Sequence, residues 1–158
     1  MRKVGVGELI LGSRPASGKL GADWVDVLRE IPLFSTLSKR HVKRIANLAR
    51  QRRFPTGSVI VRKGQRGETF FVILDGEATL SLPKGRNVKL KSGDFFGELA
   101  LLDGGPRSAT VIAKTPVLAM GIARTPFLKL VAGESDLAVS LLKALAARLR
   151  EADEASAR

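Results

Sequence analysis

Cysteine is absent from the 158-residue sequence, and histidine occurs once. The missing cysteine excludes disulfides, thiolate metal sites and thiol catalysis, and it is compatible with a reducing cytosol. No apolar run approaches the roughly 18–20 residues that a membrane-spanning helix needs, and the N-terminus lacks the apolar core of a signal peptide. We therefore expect a cytoplasmic protein without a transmembrane segment, long enough for one folded domain.

Catalytic groups are equally scarce. The sequence contains no serine in a nucleophile-elbow motif, no carboxylate pair spaced with metal ligands, and no group suited to activating a water molecule. Only 24 residues follow Glu134, in one helical pattern, and a DNA-reading module does not fit in that space. The sequence therefore predicts a protein that binds and reports, with no enzyme activity and no metal site.

Basic residues outnumber acidic ones by 27 to 15, which gives a net charge of +12. The excess is concentrated between residues 38 and 66, where ten basic residues occur without an acidic one. A solvated surface is the favoured interpretation, because charge runs are usually only that. The alternatives are a surface for nucleic acid, an anionic membrane or an acidic protein, and a positive field that attracts an anionic ligand.

The N-terminal third of the chain consists of an irregular segment followed by two helical patterns. Residues 1–22 are glycine-rich and aperiodic and predict a flexible arm, so that the domain itself covers 23–158. Within 24–50 we expect two helices, 24–30 and 39–50, with Asp23 and Ser38 as N-caps. The lone His41 is expected on the outer face of the second helix, as a surface residue without a role.

Short strand patterns separated by turns fill residues 52–122, at 58–62, 69–74, 77–82, 88–90, 108–113 and 116–122. Many short strands with regular turns predict a barrel or roll, whose interior can hold one small ligand. Helices are predicted again over 125–157. Thr125 is expected to cap the first of them, and Ser135 to begin a longer one with leucines spaced four residues apart.

Glu98 and Arg107 lie nine positions apart in a stretch that otherwise resembles a protein interior. Gly97 precedes a short helical run, 98–102, and the free N–H groups and dipole of a helix N-terminus favour an anion. A strand pattern begins at Arg107, so its side chain is expected to return to that N-terminus. The combination suits a phosphate attached to a sugar, with Arg107 and the amides on the anion and Glu98 on a ribose hydroxyl. The alternative is that Glu98 and Arg107 simply pair with each other.

The segment Phe96-Gly-Glu-Leu-Ala-Leu-Leu102, followed by Pro106-Arg-Ser-Ala109, resembles the phosphate-binding cassette of cyclic nucleotide-binding domains. The resemblance covers about residues 24 to 155. It implies an α+β, mainly β fold: an eight-stranded β-roll of jelly-roll topology, flanked by N-terminal helices and two C-terminal helices, with the short phosphate-binding helix in the roll.

The same resemblance assigns the ligand contacts. It implies that Glu98 binds the ribose 2′-hydroxyl and Arg107 the cyclic phosphate, with amides of the short helix completing the phosphate cradle. The expected ligand-binding residues are Gly97, Glu98, Leu99, Ala100, Arg107, Ser108, Ala109, Val88 and Arg148.

The resemblance also implies a mechanism, in which the last helix swings over the nucleotide and caps the base. Arg148 is the candidate base contact, because a guanidinium can stack on a purine; the alternative is that it faces solvent. We expect cAMP as the regulatory ligand, with cGMP tolerated, and a separate effector protein as partner. The competing hypothesis is a basic adaptor that uses the same fold to bind nucleic acid or an acidic protein.

Overall fold

A computed structural model describes residues 18–156 of the chain. Most of the predicted flexible arm, residues 1–17, lies outside the described residues. The remaining part of that segment packs against the domain: Leu20 is fully buried and its N–H donates to the Ala49 carbonyl at 3.0 Å. The division of the chain at residue 22 stays a prediction.

In the described part of the chain, eight antiparallel strands form two four-stranded sheets, which confirms the predicted roll. The strands are β1 (Arg50–Phe54), β2 (Val59–Val61), β3 (Thr69–Asp75), β4 (Ala78–Ser81), β5 (Asn87–Leu90), β6 (Phe95–Phe96), β7 (Thr110–Ala113) and β8 (Val117–Ala123). One sheet has the order β1-β8-β3-β6 and the other β2-β7-β4-β5. Sequence neighbours such as β1 and β2 therefore lie in different sheets, so the chain crosses between them as it winds the roll.

Strand β1 was not predicted, because the second helix was expected to continue to residue 50. That helix ends at Leu48, and the chain then pairs with β8, with Arg52 opposite Ala119. Exposed arginines precede and follow the buried Gln51 in the sequence of β1. The strand therefore lacks the apolar alternation that marks β structure in a sequence. Backbone pairing stabilises this polar strand: β8 pairs with it on one side, and on the other an antiparallel bridge joins Lys19 to Arg50.

Residues 18–156 contain five α-helices beside the sheets: α1 (Val25–Leu28), α2 (Lys39–Leu48), α3 (Glu98–Asp103), α4 (Arg124–Gly133) and α5 (Ser135–Ser156). Ser38 caps α2 as predicted, since its hydroxyl accepts a hydrogen bond from the His41 N–H at 3.2 Å. The other two predicted caps are wrong. Asp23 lies inside a 3-10 turn that precedes α1, and α4 starts at Arg124, directly from β8 and without a side-chain cap. None of the helices among residues 18–156 is both long and apolar enough to cross a bilayer.

The two faces of β3 serve two hydrophobic clusters. Phe70 and Val72 belong to the larger cluster, which joins the helices to one sheet and includes the fully buried Trp24. Phe71 and Ile73 belong to the smaller cluster inside the roll. This division follows from the period of two along a strand, which sends neighbouring side chains to opposite faces.

Strand β6 continues the same division, with Phe95 in the larger cluster and Phe96 in the smaller one. Both phenylalanines are buried. Buried on both sides, β6 fixes the position at which the chain leaves the sheet and begins α3.

Candidate functional site

Gly97 joins β6 to α3 and adopts a left-handed conformation, with φ 93°. Glycine is required here because other residues rarely adopt a positive φ, and because there is no room for a side chain. A Cβ atom at this position would lie 2.5 Å from Nη1 of Arg107 and 3.0 Å from the Thr69 carbonyl oxygen. The predicted short helix after Gly97 is confirmed and extends to Asp103, one residue further than expected.

Arg107 lies in the loop before β7, which begins at Thr110, later than the start predicted at residue 107 or 108. The side chain is buried, and its guanidinium donates to the carbonyls of Gly97 at 3.1 Å and Thr69 at 2.7 Å. Burial lowers the pKa of Arg107, an effect opposed by the negative charges of Glu98 and Glu68. The two bonds use two of the five N–H donors of a guanidinium and hold it beside the N-terminus of α3.

Glu98 is the first residue of α3 and is 4% exposed. One carboxylate oxygen, Oε1, contacts Nη1 of Arg148 at 3.3 Å, whereas Oε2 has no hydrogen-bond partner among the described residues. Burial raises the pKa of Glu98; its own backbone N–H and the charges of Arg148 and Arg107 oppose the rise. Among residues 18–156, Glu98 forms its ion pair with Arg148. Glu98 and Arg107 therefore do not pair with each other.

Arg148 connects α5 to the start of α3. Its guanidinium lies over the Phe95 ring, 3.8 Å from the ring centroid, and also donates to the Phe95 carbonyl. Arg148 is therefore only partly exposed, and the alternative that it simply faces solvent is wrong. A contact with a base stays a prediction.

The other predicted site residues have different environments. Ala100 and Ala109 are buried, whereas Ser108 and Leu99 are exposed beside them in sequence. Val88 lies on β5 and is 39% exposed. It pairs with Leu80 of β4, in the sheet that does not contain β6. We call Gly97, Glu98, Leu99, Ala100 and Arg107 the α3 site.

Two residues that support the α3 site were missed in the sequence. Gly67 is buried where a Cβ atom would collide with the Ala100 Cβ and lie 3.3 Å from Cζ of Arg107. Thr69 contributes only its backbone carbonyl, so its residue type gives no indication of this contact. In the sequence, Gly67 lies two residues before a predicted strand. Glycine is common in turns at such positions, so it did not indicate a contact with the site.

Outside the α3 site, one group of possible metal ligands occurs among the described residues. Ligand atoms of His41, Glu134 and Asp136 lie within 4.8 Å of one another. His41, expected to be a surface residue, is only 30% exposed, and both of its ring nitrogens contact carboxylates. We call these three residues the His41 cluster.

Gly97→Ala tests whether the α3 site requires a close approach of Arg107. The new methyl group would displace the guanidinium and strain the positive φ, so we expect a loss of about 1–3 kcal/mol in the free energy of unfolding. Denaturant unfolding measures it. Gly133→Ala is the matched control, because a Cβ atom there meets nothing within 4 Å and φ is not positive. Equal stabilities of the two variants would contradict the packing described for Gly97.

The sequence matches the cyclic nucleotide-binding domain family over residues 51–134. The cAMP-dependent protein kinase regulatory subunit of Pyricularia oryzae is 39% identical over 105 residues, which is 65% of this chain and 27% of that protein. The catabolite activator protein of Thermus thermophilus has a similar structure, with a TM-score of 0.69 and 31% identity over 77% of this chain and 60% of that one. The regulatory domain of Toxoplasma gondii PKA, solved with cAMP, gives a TM-score of 0.68 and 28% identity over 77% of this chain and 48% of that one. The chain thus spans about 27% of the length of the curated relative.

Proposed function

Because the chain belongs to the family of cyclic nucleotide-binding domains, we propose that it is a non-enzymatic sensor that binds cAMP at the α3 site and signals through α5. The single observation that carries this proposal is the free Oε2 atom of Glu98, which is buried beside the α3 N-terminus without a hydrogen-bond partner among the described residues. Buried polar atoms are rarely left unpaired. A ligand hydroxyl would supply the missing donor.

The chemistry of the α3 site matches the two halves of a cyclic nucleotide. Arg107 and the amides of Gly97, Leu99 and Ala100 would hold the cyclic phosphate, because charge-assisted bonds at a helix N-terminus favour an anion. Glu98 would accept a hydrogen bond from the ribose 2′-hydroxyl through Oε2. Its contact with Arg148 uses the other oxygen, so this contact and the ribose do not compete for the same atom.

The signal would pass through Arg148. This residue contacts Glu98 and Phe95 at the start of α3, so a nucleotide bound to Glu98 changes the energy of docking α5. A ligand that prefers one of two helix positions shifts the population toward that position. A separate effector protein would recognise the shifted helix. The cytoplasmic location expected from the sequence is part of the same proposal.

The preference for the base is proposed as cAMP with cGMP tolerated. Ser108 is exposed next to Arg107, and its hydroxyl can reach either the phosphate or the 2-amino group of a syn guanine. The support for cAMP is the Toxoplasma gondii structure solved with that ligand.

A calorimetric titration of the full chain tests the proposal. We expect cAMP to bind with a Kd below about 50 μM, which corresponds to about −6 kcal/mol, and cGMP to compete more weakly. NMR shifts of α5 amides on binding would support signalling through that helix. Shifts restricted to α3 would contradict that part of the proposal, and no heat with either nucleotide at this concentration would contradict binding itself.

The basic adaptor is the second candidate, and one surface favours it. Arg40, Lys43 and Arg44 on α2, together with Lys129 on α4, line a groove of about 480 Å³. Retention on heparin that falls with salt and is unaffected by Arg107→Ala would favour this function over nucleotide sensing. Arg44 in this groove and Arg66 elsewhere in the basic run already pair with carboxylates, as expected for a solvated surface.

A further inference from the structure

The His41 cluster brings together three segments that are far apart in sequence. On α2, His41 contacts Oε2 of Glu134 through Nε2 at 2.8 Å, and Oδ2 of Asp136 through Nδ1 at 2.6 Å. Glu134 is the single residue between α4 and α5, and Asp136 is the second residue of α5. One imidazole ring therefore connects α2 to the junction of the two C-terminal helices.

Both carboxylates of the cluster are also held by a second donor. Oε1 of Glu134 accepts from Nη1 of Arg44 at 2.7 Å, and Oδ1 of Asp136 accepts from the Leu137 N–H at 2.8 Å. One oxygen of each carboxylate is thus fixed from outside the cluster, and the other oxygen is turned toward the ring. Carboxylates that bind a metal ion are commonly oriented by outer hydrogen bonds of this kind. Oε2 and Oδ2 therefore converge on the imidazole of His41.

The cluster contains more acceptors than a neutral imidazole can serve. A neutral ring carries one N–H, so one of its two nitrogens would face a carboxylate oxygen with no hydrogen between them. Apart from His41, Arg44 is the one side-chain cation among residues 18–156 that pairs with either carboxylate. Two negative charges thus face one permanent positive charge in a partly buried place, where charges are screened less than in water. A bound cation would supply both the missing contact and the missing charge.

The spacing of the ligand atoms suits a metal ion. One nitrogen of His41 and one oxygen from each carboxylate lie within 4.8 Å of one another. Ligand atoms that are about 2.0–2.2 Å from Zn²⁺ lie about 3.4 Å apart at the tetrahedral angle, so adjustments of about 1 Å would place all three around one ion. Side-chain rotation supplies movements of this size. The ring nitrogen that does not bind the ion keeps its N–H, which is the usual state of a metal-bound histidine.

The types of ligand favour Zn²⁺ over Mg²⁺ or Ca²⁺. Imidazole nitrogen is a ligand that suits Zn²⁺, whereas Mg²⁺ and Ca²⁺ prefer oxygen ligands. Three protein ligands leave one position of a tetrahedral site for water. The side chains of His41 and Asp136 are 30% and 29% exposed, whereas that of Glu134 is 10% exposed. An ion can therefore enter from solvent, with Glu134 on the buried side of the site.

We propose that His41, Glu134 and Asp136 bind Zn²⁺ and thereby join α2 to the junction of α4 and α5. This site differs from the α3 site in its residues and in its ligand, and it does not depend on the proposed function. Because Asp136 lies in the first turn of α5, the ion restrains the start of that helix. The sequence predicted no metal site, since His41 and Asp136 lie 95 positions apart and form no spaced motif.

Titration calorimetry with ZnCl₂ tests the site. The sample is the tag-free full chain, freed of metals with EDTA and dialysed into a non-chelating buffer at pH 7.5. We expect one ion per chain with a Kd of about 10 μM or tighter, and no heat of binding from MgCl₂ at the same concentrations. Absence of Zn²⁺ binding, or equal binding of Mg²⁺, would overturn the proposal.

NMR of the histidine ring identifies the ligand directly. The chain has one histidine and no cysteine, so the ring ¹⁵N signals are unambiguous and no thiolate competes for the ion. We expect one ring nitrogen to shift with one equivalent of Zn²⁺. The Leu137 amide, which donates to Asp136, should shift in the same titration. Ring signals that stay unchanged at saturating Zn²⁺ would place the ion elsewhere and overturn the assignment to His41.

Two conservative variants make the assignment specific. His41→Gln and Asp136→Asn each remove one ligand, and we expect the Kd to increase at least about tenfold, because even an outer partner of a metal ligand contributes that much. Asp136→Asn retains an oxygen for the Leu137 N–H, so its fold should be intact. Glu154→Gln is the matched control, because it removes an exposed carboxylate further along α5, and it should bind Zn²⁺ normally. Wild-type affinity in both ligand variants would overturn the proposal.

Thermal unfolding measures whether the ion holds the helices together. With free Zn²⁺ at about ten times the wild-type Kd, we expect the Tm of the wild type to increase by about 3–6 °C and that of Asp136→Asn by less than about 2 °C. The titration contains no nucleotide, so its result is separate from any result with cAMP. An equal increase in both proteins, or no increase in either, would contradict a Zn²⁺ link between α2 and the helix junction.

Discussion

Arg107→Ala is expected to reduce cAMP affinity by about 2–4 kcal/mol, or roughly 30- to 1,000-fold. The substitution removes the cation of the α3 site and also the two bonds to the Gly97 and Thr69 carbonyls. We therefore expect a lower free energy of unfolding as well. Titration calorimetry measures the first effect and denaturant unfolding the second.

Two variants make the result for Arg107 specific. Arg66→Ala removes an arginine from the neighbouring loop whose side chain is 79% exposed and paired with Glu68, so it should bind cAMP normally. Arg107→Lys retains the charge but loses the planar fork, and it should bind weakly while remaining folded. If Arg107→Ala bound cAMP as tightly as Arg66→Ala, the phosphate would have to lie elsewhere.

Glu98→Gln is expected to weaken cAMP binding by about 1.5–3 kcal/mol, the range for a hydrogen bond to a charged group. In the absence of ligand the same variant should be more stable than the wild type at pH 7.5. Burial raises the pKa of Glu98 above its ordinary 4.5, so the folded state binds this proton more tightly than the unfolded state. Its stability contribution is present at low pH and is lost as the pH rises through the folded pKa.

Thermal unfolding between pH 5 and 8 measures how the stability difference between Glu98→Gln and the wild type depends on pH. The Tm advantage of Glu98→Gln should grow with pH and reach about 2–4 °C, the shift that ~1 kcal/mol produces in a domain of this size. Glu68→Gln is the control, because its side chain is 59% exposed and should show neither effect. A Glu98→Gln variant that is less stable than the wild type at all pH values would contradict the account of an uncompensated buried carboxylate.

The sequence predicted the site best where the residues that form it are close together in the chain. Gly97, the short α3 and Arg107 lie within about a dozen residues, so turn chemistry and helix signals predict their arrangement. The partner of Glu98 was not predictable in this way. Arg148 lies 50 residues away and reaches Glu98 only after α5 packs on the roll.

Other errors have equally specific causes. Strand β1 is basic on both sides of Gln51, so the hydrophobic period of a strand is missing, although pairing with β8 stabilises it. The sequence pattern of α2 by itself places His41 on the outer face of that helix. The residues that cover it, Glu134 and Asp136, belong to a helix junction about 90 positions later in the chain.

The burial of Trp24 has a practical consequence. The chain contains one tryptophan and no tyrosine, so its near-ultraviolet emission comes from one indole in the core between the helices and the sheet. The α3 site lacks an intrinsic fluorophore of its own. Emission therefore monitors whether the helical layer stays packed, and a fluorescent nucleotide is needed to observe binding itself.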